Sequence, residues 1–353
     1  MDNSIVIDGK SWDEAHPFIV AEVGINHNGD MELASDCIAA AAEAGADAVK
    51  FQNYHTEDFI SDRNLKFSYQ SQGRKITEAQ FDMFKRYELS AKQLGFLKSQ
   101  CDKHGVNFHS TPTSVRGIDE LVAVNCSVLK NGSDYLTHLG LIKAMAETGL
   151  PTVLSTGMAT MSEIDQAVRV FRDSANSSLL LLHCTSAYPT PVEQANLARI
   201  ETLKSAFDVA VGFSDHTSGI TAAIASVVIG VCWIEKHFTL DKNLPGPDHW
   251  FSMDPDELKH LVTSVREAEV IKGTSQIEPT IAEEASRRDF RLSCVALNDM
   301  QSGAVLGPAD IGFRRPGTGF PPVNADIFIG NQLRNPIKAG DVFTLDHIIK
   351  KQE

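Results

Sequence analysis

The sequence predicts an α/β protein, namely a (β/α)8 TIM barrel followed by a small β-rich domain. Short apolar runs rich in β-branched residues alternate with longer stretches of helical period from residue 18 onward. Eight such pairs fit into about 255 residues, which is the usual size of this barrel. The remaining C-terminal residues instead carry short β-type segments separated by glycines and prolines.

Each predicted barrel strand is a short apolar run followed by a helical pattern. The runs are FIVAEV from residue 18, DAVKFQ from 47, VNFHST from 106, SVLKN from 127, PTVLST from 151, LLLLHC from 179, VAVGFS from 209 and VCWIEKH from 231. The clearest helical pattern predicts a helix over 31–44. Ile38, Ala41 and Ala42 share one face of it, and Gly45 is placed to end it.

The predicted domains are a barrel over 1–273 with an N-terminal extension over 1–17, a polar linker over 274–289, and a small domain over 290–353. In the small domain the pattern G-x-V-x5-I begins at Gly303 and again at Gly340, which predicts two related β-rich halves. The segment FRRPGTGFPP between them contains prolines and glycines that exclude a central strand.

An insertion follows the second predicted strand. It runs over 54–75 and is rich in polar residues. A lid over the barrel mouth and a solvated loop are equally consistent with this composition.

The composition is that of a globular protein without a membrane span, because no run of eighteen apolar residues occurs among its 42% apolar positions. The N-terminus lacks the basic and apolar regions of a secretion signal, and the six cysteines lie far apart. We therefore expect reduced thiols and a cytoplasmic location. A net charge of −14 argues against nucleic acid and anionic membranes as partners.

Polar side chains mark the carboxyl ends of the predicted strands. In chain order they are Glu22, Lys50, Gln52, Thr111, Lys130, Ser133, Ser155, Thr185, Ser214, His216, Glu235 and His237. In a (β/α)8 barrel these ends converge on the face that carries the active site. Buried polar groups are unfavourable without partners or a function, so we predict an active site at this face.

Several segments taken together resemble the bacterial and animal sialic acid synthases. They are AEVGINHNGD at 21–30, KFQ at 50–52, STGM at 155–158, GFSDHT at 212–217, EKHFTLD at 235–241, GPDH at 246–249 and RRPGTG at 314–319. The last sixty or so residues resemble the antifreeze-like (SAF, β-clip) domain of that family. The resemblance implies an enzyme that condenses phosphoenolpyruvate with an open-chain N-acylmannosamine. The products would be phosphate and a nine-carbon 2-keto sugar acid of the N-acetylneuraminate type. It also implies a domain-swapped homodimer.

The resemblance further implies a role for each matched residue. His216 and His237 would bind a divalent cation, Mn²⁺ with Mg²⁺ or Co²⁺ as alternatives, and would form the catalytic group together with Glu22 and Asp134. The implied phosphoenolpyruvate-binding residues are Lys50, Thr111, Lys130, Ser133, Ser155, Ser186 and Ser214. The implied sugar-binding residues are Gln52, Tyr188, Asp248 and Arg315.

Two of these residues have a second interpretation. Many relatives carry an acidic residue one position after Asp134, where this chain has Tyr135. Asp134 would supply the missing carboxylate from one position earlier, or would point elsewhere, since a shift of one residue normally redirects a side chain. Glu22 would orient the sugar or water or exchange a proton, or would simply pair with Lys50.

Three alternatives stay open. The first is a legionaminate or pseudaminate synthase, whose sugar would be a 2,4-diacetamido-2,4,6-trideoxyhexose. The GPDH motif resembles the sialate and legionaminate branches more than the pseudaminate branch. A synthase using a sugar phosphate would require a further cationic cluster that the sequence does not show. The third alternative is a non-catalytic protein that binds carbohydrate or ice. The intact polar residues at the strand ends argue against it.

Overall fold

The structure is a computed structural model that describes residues 4–174 and 176–349. The chain divides into two compact units, Met1–Gly273 and Thr274–Glu353. Within the described ranges no helix is both long and apolar enough to cross a bilayer.

The first unit begins with a small antiparallel hairpin, β1 (Ile5–Ile7) and β2 (Lys10–Trp12). Its buried side chains Ile5, Ile7 and Trp12 pack in one cluster with residues near the amino ends of the barrel strands, including Phe18 and Trp233. The predicted N-terminal extension therefore folds as a plug under the barrel.

The other strands of the first unit follow in chain order. They are β3 (Phe18–Gly24), β4 (Ala48–Asn53), β5 (Lys66–Ser71), β6 (Arg74–Ala79), β7 (Asn107–Pro112), β8 (Leu129–Asn131), β9 (Thr152–Ser155), β10 (Leu179–Cys184), β11 (Ala210–Asp215) and β12 (Trp233–His237).

All of these strands except β5 and β6 form a closed barrel, in the order β10, β11, β12, β3, β4, β7, β8, β9. The predicted (β/α)8 barrel is thus confirmed. The neighbouring strands are parallel, and β12 pairs with β3 to close the barrel. Parallel strands covered on both faces are buried almost throughout, which explains why each strand is a nearly continuous apolar run in the sequence.

The helices of the first unit follow in chain order. They are α1 (Met31–Ala44), α2 (Thr56–Phe59), α3 (Gln80–Tyr87), α4 (Ala91–His104), α5 (Val115–Ala123), α6 (Leu139–Glu147), α7 (Met161–Arg172), α8 (Arg199–Phe207), α9 (Thr221–Ile229) and α10 (Pro255–Lys272). All except α2 and α3 pack around the barrel. The helix predicted over 31–44 is confirmed. Asp30 caps it by accepting hydrogen bonds from the backbone of Glu32 and Leu33, and Gly45 ends it with a φ of 89°.

The insertion after β4 is folded and extends beyond the predicted 54–75, to Tyr87. It contains α2, the β5–β6 hairpin and α3, and the hairpin turns at Gln72 and Gly73, both with positive φ. Apolar side chains from α2 and α3 pack together with Tyr54. This packing gives the insertion its own small core beside the barrel mouth.

The second unit contains α11 (Glu284–Phe290) and four short strands, β13 (Ser293–Ala296), β14 (Ile311–Arg314), β15 (Gln332–Leu333) and β16 (Ile348–Ile349). β13 pairs with β14 and β15 pairs with β16, both antiparallel. The segment 274–289, predicted as a linker, is exposed throughout but is partly helical. It includes the 3-10 turn Ile281–Glu283 and all of α11 except Phe290.

The two copies of the G-x-V-x5-I pattern share one local structure. Gly303 and Gly340 have φ values of 89° and 95°, and each is followed by a 3-10 turn and then by a strand that begins at Ile311 or Ile348. The glycines recur because this backbone conformation is strained for other residues.

Candidate active site

A cavity of about 460 Å³ lies at the carboxyl ends of the barrel strands. It is lined by Glu22, Lys50, Gln52, Thr111, Lys130, Ser133, Asp134, Ser155, Ser186, Tyr188, Ser214, His216, His237 and Asp248, along with other residues. They include every residue to which the resemblance assigns a role except Arg315. The strand-end residue Thr185 does not line this cavity, and its hydroxyl donates to the carbonyl oxygen of Gln194 at 3.0 Å. Arg315 lies in the second unit, is exposed, and stacks its guanidinium over the ring of Phe290 at 5.1 Å.

The floor of the cavity is a cluster of two buried lysines and two buried carboxylates. The Nζ of Lys50 lies 2.8 Å from Oε2 of Glu22 and 3.5 Å from Oε1 of Glu235, and the Nζ of Lys130 lies 3.4 Å from the same atom of Glu235. Each of these side chains is at most 5% exposed. The register of β3 and β4 places Glu22 beside Lys50, whereas Lys130 on β8 contacts Glu235 on β12 across the interior of the barrel.

The two lysines respond differently to burial. For Lys50, burial lowers the pKa, but Glu22 and Glu235 outweigh this effect and the pKa is raised. For Lys130, burial dominates and the pKa is lowered despite Glu235. Burial also raises the pKa of Glu22, whereas Lys130 and Lys50 hold the pKa of Glu235 below its usual range against the effect of burial. Such a cluster favours an incoming anion that replaces the carboxylates as partner of the ammonium groups.

Hydroxyl groups surround this cluster. The Nζ of Lys50 donates to Oγ1 of Thr111 at 3.3 Å, and Oγ of Ser214 donates to Glu235 at 3.3 Å. The Oγ of Ser133 accepts a hydrogen bond from the backbone of Gly157 at 3.1 Å. Ammonium groups and hydroxyl donors at one spot are the partners that a phosphate and a carboxylate require.

Two histidines lie next to the floor, on β12 and directly after β11. Their ring centroids are 5.5 Å apart. The Nδ1 of His216 is 2.8 Å from the carbonyl oxygen of Thr185, which can only accept, so Nδ1 carries the hydrogen and Nε2 keeps its lone pair. Burial lowers the pKa of His216 to about 4 and the pKa of His237 well below its usual value, so both rings are neutral near pH 7.

This donor set fits a divalent cation held by two protein ligands with other positions left for water and substrate. The Nδ1 of His237 is buried without a hydrogen-bond partner, and the carbonyl that fixes the tautomer of His216 is the usual support of a metal-binding imidazole. Over residues 4–174 and 176–349, no three or more His, Cys, Asp and Glu side chains gather as a complete metal cage.

The residues expected at the sugar end have defined partners. The Nε2 of Gln52 donates to Glu22 at 3.1 Å, and the ring of Tyr188 packs against His216 at 4.3 Å between centroids. Asp248 lies 4.0 Å from His237, and burial together with the charge of Glu22 raises the pKa of Asp248 to about 7.

Asp134 remains in the cavity despite its shifted position. A 3-10 turn over Ser133–Tyr135 allows both Asp134 and Tyr135 to line the cavity. Burial raises the pKa of Asp134, although Lys130 and Lys50 act against this. The one-residue shift therefore does not remove a carboxylate from the site.

Sequence reasoning missed Cys184, which lines the cavity with its Sγ 3.1 Å from Oγ of Ser133. It also missed a buried ion pair behind the two histidines. The Nζ of Lys236 donates to Oδ2 of Asp215 at 2.8 Å and to the carbonyl oxygen of Thr217 at 2.5 Å. The alternation of side chains along β11 and β12 is the signal that places this pair on the outer face.

Comparison with known proteins gives matches over both units. A model described as the NeuB family matches residues 37–277, and a SAF domain model matches residues 293–349. The chain is 38% identical to an N,N'-diacetyllegionaminic acid synthase of Legionella pneumophila, over 94% of each protein. It is 35% identical to a pseudaminic acid synthase of Campylobacter jejuni, over 92% of this chain and 94% of that protein. The solved N-acetylneuraminic acid synthetase of Leptospira borgpetersenii aligns with a TM-score of 0.73 and 34% identity, over 81% of this chain and 95% of that one.

Proposed function

Because the chain belongs to the NeuB family and carries a SAF domain, we propose that it condenses phosphoenolpyruvate with the open-chain form of an N-acylated aminohexose. The sugar is of the N-acylmannosamine type, and the products are a nine-carbon 2-keto sugar acid and phosphate. The observation that carries this proposal is one cavity in which two buried lysines lie beside two neutral histidines.

Phosphoenolpyruvate binds at the cavity floor. Lys50 and Lys130 pair with its phosphate and carboxylate, and the hydroxyls of Thr111, Ser133 and Ser214 supply further donors. The two ammonium groups are held by Glu22 and Glu235 in the absence of substrate, so they are already oriented when the anion arrives. Ser155 and Ser186 line the same cavity and complete this set.

The aldehyde binds beside His216 and His237. These residues would hold a divalent cation, for which we propose Mn²⁺ with Mg²⁺ or Co²⁺ as alternatives, and the cation would polarise the aldehyde carbonyl. Both imidazoles are neutral and therefore have lone pairs for this purpose. Tyr188 packs against His216 and limits the orientations of the ring.

In the proposed reaction, C3 of phosphoenolpyruvate attacks the aldehyde carbon and forms the new carbon–carbon bond. The aldehyde oxygen takes up a proton, and water adds to C2, losing a proton as it does so. The C2–O bond to phosphate then breaks while the new C2 hydroxyl gives up its proton and the departing phosphate takes one up, which leaves the keto group and inorganic phosphate. Asp248 can exchange a proton near neutral pH because its pKa is raised to about 7. Glu22 and Asp134 are the other carboxylates of the cavity that can orient the water or the sugar.

A phosphorylated sugar is a poorer fit. Among the described residues that line the cavity, the only lysine or arginine side chains are Lys50 and Lys130. Both lie at the floor, where the proposal assigns them to phosphoenolpyruvate, so the described residues that line the cavity supply no further ammonium or guanidinium group for a second phosphate.

A second candidate substrate is a 2,4-diacetamido-2,4,6-trideoxyhexose. The Legionella relative, 38% identical over 94% of this chain, is named an N,N'-diacetyllegionaminic acid synthase. The same cavity chemistry at the aldehyde serves either sugar.

We also propose that the enzyme is a homodimer in which the SAF domain of a second copy supplies Arg315 to the sugar site. Arg315 is exposed, and the segment that precedes the SAF domain leaves Ile277, Ile281 and Phe290 exposed by 104%, 87% and 59%. Sedimentation of the full chain tests this directly. A monomer at micromolar concentration that retains full turnover contradicts it.

The proposed reaction is tested by phosphate release from phosphoenolpyruvate in the presence of N-acetylmannosamine or the diacetamido sugar. We expect release that stops with a chelator and returns with Mn²⁺, together with a product whose mass is that of the sugar plus pyruvate. Absence of phosphate release with every sugar after Mn²⁺ is restored would show that the proposal is wrong.

A further inference from the structure

One side of the cavity has an apolar surface. It consists of Ile25, Phe59, Phe67, Met83 and Phe84, and we call it the apolar wall. Ile25 follows β3, and the other four residues belong to the insertion after β4. The wall therefore lines the same cavity as the lysines and histidines but comes from a separate part of the chain.

The apolar wall is well packed. The rings of Tyr54, Phe59 and Phe84 meet edge to face, with centroids 5.2 to 5.5 Å apart. Ile25 and Met83 are 4% and 1% exposed. Such a ring cluster holds its shape without a ligand and presents ring edges and methyl groups to the cavity.

The apolar wall offers a sugar hydroxyl no hydrogen bond. Its five side chains have no N–H or O–H group, and the nearby phenol of Tyr54 already donates to the carbonyl oxygen of Phe84 at 3.2 Å. A hydroxyl turned towards this surface loses its hydrogen bonds with water and gains none. A methyl group in the same position is removed from water without such a loss.

The remaining carbons of the sugar must share the cavity with this surface. With phosphoenolpyruvate on the lysines and the aldehyde beside the histidines, the distal end of the sugar lies between the apolar wall and a polar side of the cavity. The described polar side chains of that side are Gln52, Thr113, Asp134, Tyr135, Tyr188 and Asp248, in addition to the Arg315 proposed to come from a second copy. Gln52 already donates to Glu22. A sugar with hydroxyls on every distal carbon would leave some of them facing the apolar wall.

We propose that the apolar wall is a specificity-determining surface for the distal end of the sugar, and that it selects a 6-deoxy hexose with a second acylamino group over N-acetylmannosamine. This inference rests on the proposed condensation and names its substrate class. The C6 methyl and the second acetyl methyl contact the apolar wall, while the aldehyde end is bound as described above.

The test compares kcat/KM for two sugars at saturating phosphoenolpyruvate and Mn²⁺. They are N-acetylmannosamine and the 2,4-diacetamido-2,4,6-trideoxyhexose of the same configuration. We expect the deoxy sugar to be preferred by about 10- to 200-fold, the range in which an apolar pocket discriminates one such group.

Variants of the wall separate this role from general activity. Phe84→Ala and Phe67→Ala should each lower kcat/KM for the deoxy sugar about tenfold more than for N-acetylmannosamine, mainly through KM. Phe67 is 37% exposed and lies outside the ring cluster, so its replacement tests the proposal even if Phe84→Ala destabilises the insertion. The control is Phe96→Ala on the outer face of α4, where a ring exposed by 39% is removed and the preference should not change.

The outcomes distinguish the inference from the function on which it rests. Preference for N-acetylmannosamine in the native enzyme, or equal losses for both sugars in the wall variants, would overturn the inference and leave the condensation intact. No phosphate release with either sugar would overturn both. A preference for the deoxy sugar that falls in Phe67→Ala and persists in Phe96→Ala would support it.

Discussion

Replacing Lys236 with methionine removes the ammonium group of the buried ion pair behind the two histidines. The side chains of Lys236 and Asp215 are 4% and 0% exposed, and their charged atoms are 2.8 Å apart. Loss of one partner leaves an unpaired buried carboxylate, which costs about 3–5 kcal/mol. For a unit of this size that lowers the unfolding temperature by roughly 6–20 °C.

The same change should weaken metal binding. His216 lies between Asp215 and Thr217, and Lys236 bonds to both of these residues from the neighbouring strand. Asp215 in turn accepts a hydrogen bond from the backbone of Thr217 at 2.8 Å, which fixes the turn that carries His216. We expect Mn²⁺ to bind about 10- to 100-fold more weakly, the usual effect of losing a group that orients a metal ligand.

The measurement is a Mn²⁺ titration followed by electron paramagnetic resonance, at a temperature where the variant is folded. The matched control is Arg266→Met, which breaks the ion pair with Asp47 at the amino end of the barrel, 2.6 Å between charged atoms. The control should lose stability and keep its metal affinity. If Lys236→Met lowers the unfolding temperature while binding Mn²⁺ as tightly as the native protein, the ion pair does not position His216.

Three further outcomes are expected. His216→Ala and His237→Ala should each abolish metal-dependent phosphate release while far-ultraviolet circular dichroism shows a folded barrel, and activity retained in either would refute the metal assignment. Lys130→Gln should raise KM for phosphoenolpyruvate about 10- to 100-fold because a charge-assisted contact is lost, whereas Lys143→Gln on the exposed face of α6 should not. Burial lowers the pKa of His27 from 6.5 to about 4, so the unfolded chain binds more protons between these values and stability falls as the pH drops from about 6.5 towards 4. In denaturant titrations His27→Gln should reduce that loss by roughly 3 kcal/mol, and an unchanged pH dependence would contradict this explanation.

The barrel and the floor of its site were predictable because both follow from local periodicity. Strands covered on both faces must be apolar almost throughout, so their boundaries stand out in the sequence. Side chains two apart share a face, which puts Glu235 and His237 on the inner side of β12 together. The fold then brings eight strand ends to one place, and this is how Lys50 and His216 came to be expected in one cavity.

The apolar wall and the ion pair were not predictable in the same way. The hairpin strand KFSYQS is mostly exposed and carries only two aromatic residues, Phe67 and Tyr69, so its short alternation does not stand out within the polar insertion. The contact of Phe84 with Tyr54 joins residues thirty positions apart. It depends on how α3 packs against the start of the insertion, and local sequence patterns do not predict such packing. Lys236 and Asp215 look like ordinary surface charges until the register of β11 and β12 shows them side by side.

Asp134 illustrates a third limit. From strand alternation alone, a shift of one residue should have turned its carboxylate away from the site. The chain leaves the strand at Asn131, and the 3-10 turn that follows does not obey a two-residue period. Site residues beyond strand ends therefore need the structure.

In the proposed reaction this cavity forms a carbon–carbon bond between phosphoenolpyruvate and a sugar aldehyde, with cleavage of the C–O bond to phosphate. The most direct measurement uses phosphoenolpyruvate carrying ¹⁸O in the bridging position, with mass spectrometry of both products after reaction with the diacetamido sugar and Mn²⁺. We expect an unlabelled nine-carbon keto acid and phosphate that carries the ¹⁸O. Label retained in the keto acid, or labelled phosphate without any carbon adduct, would contradict it.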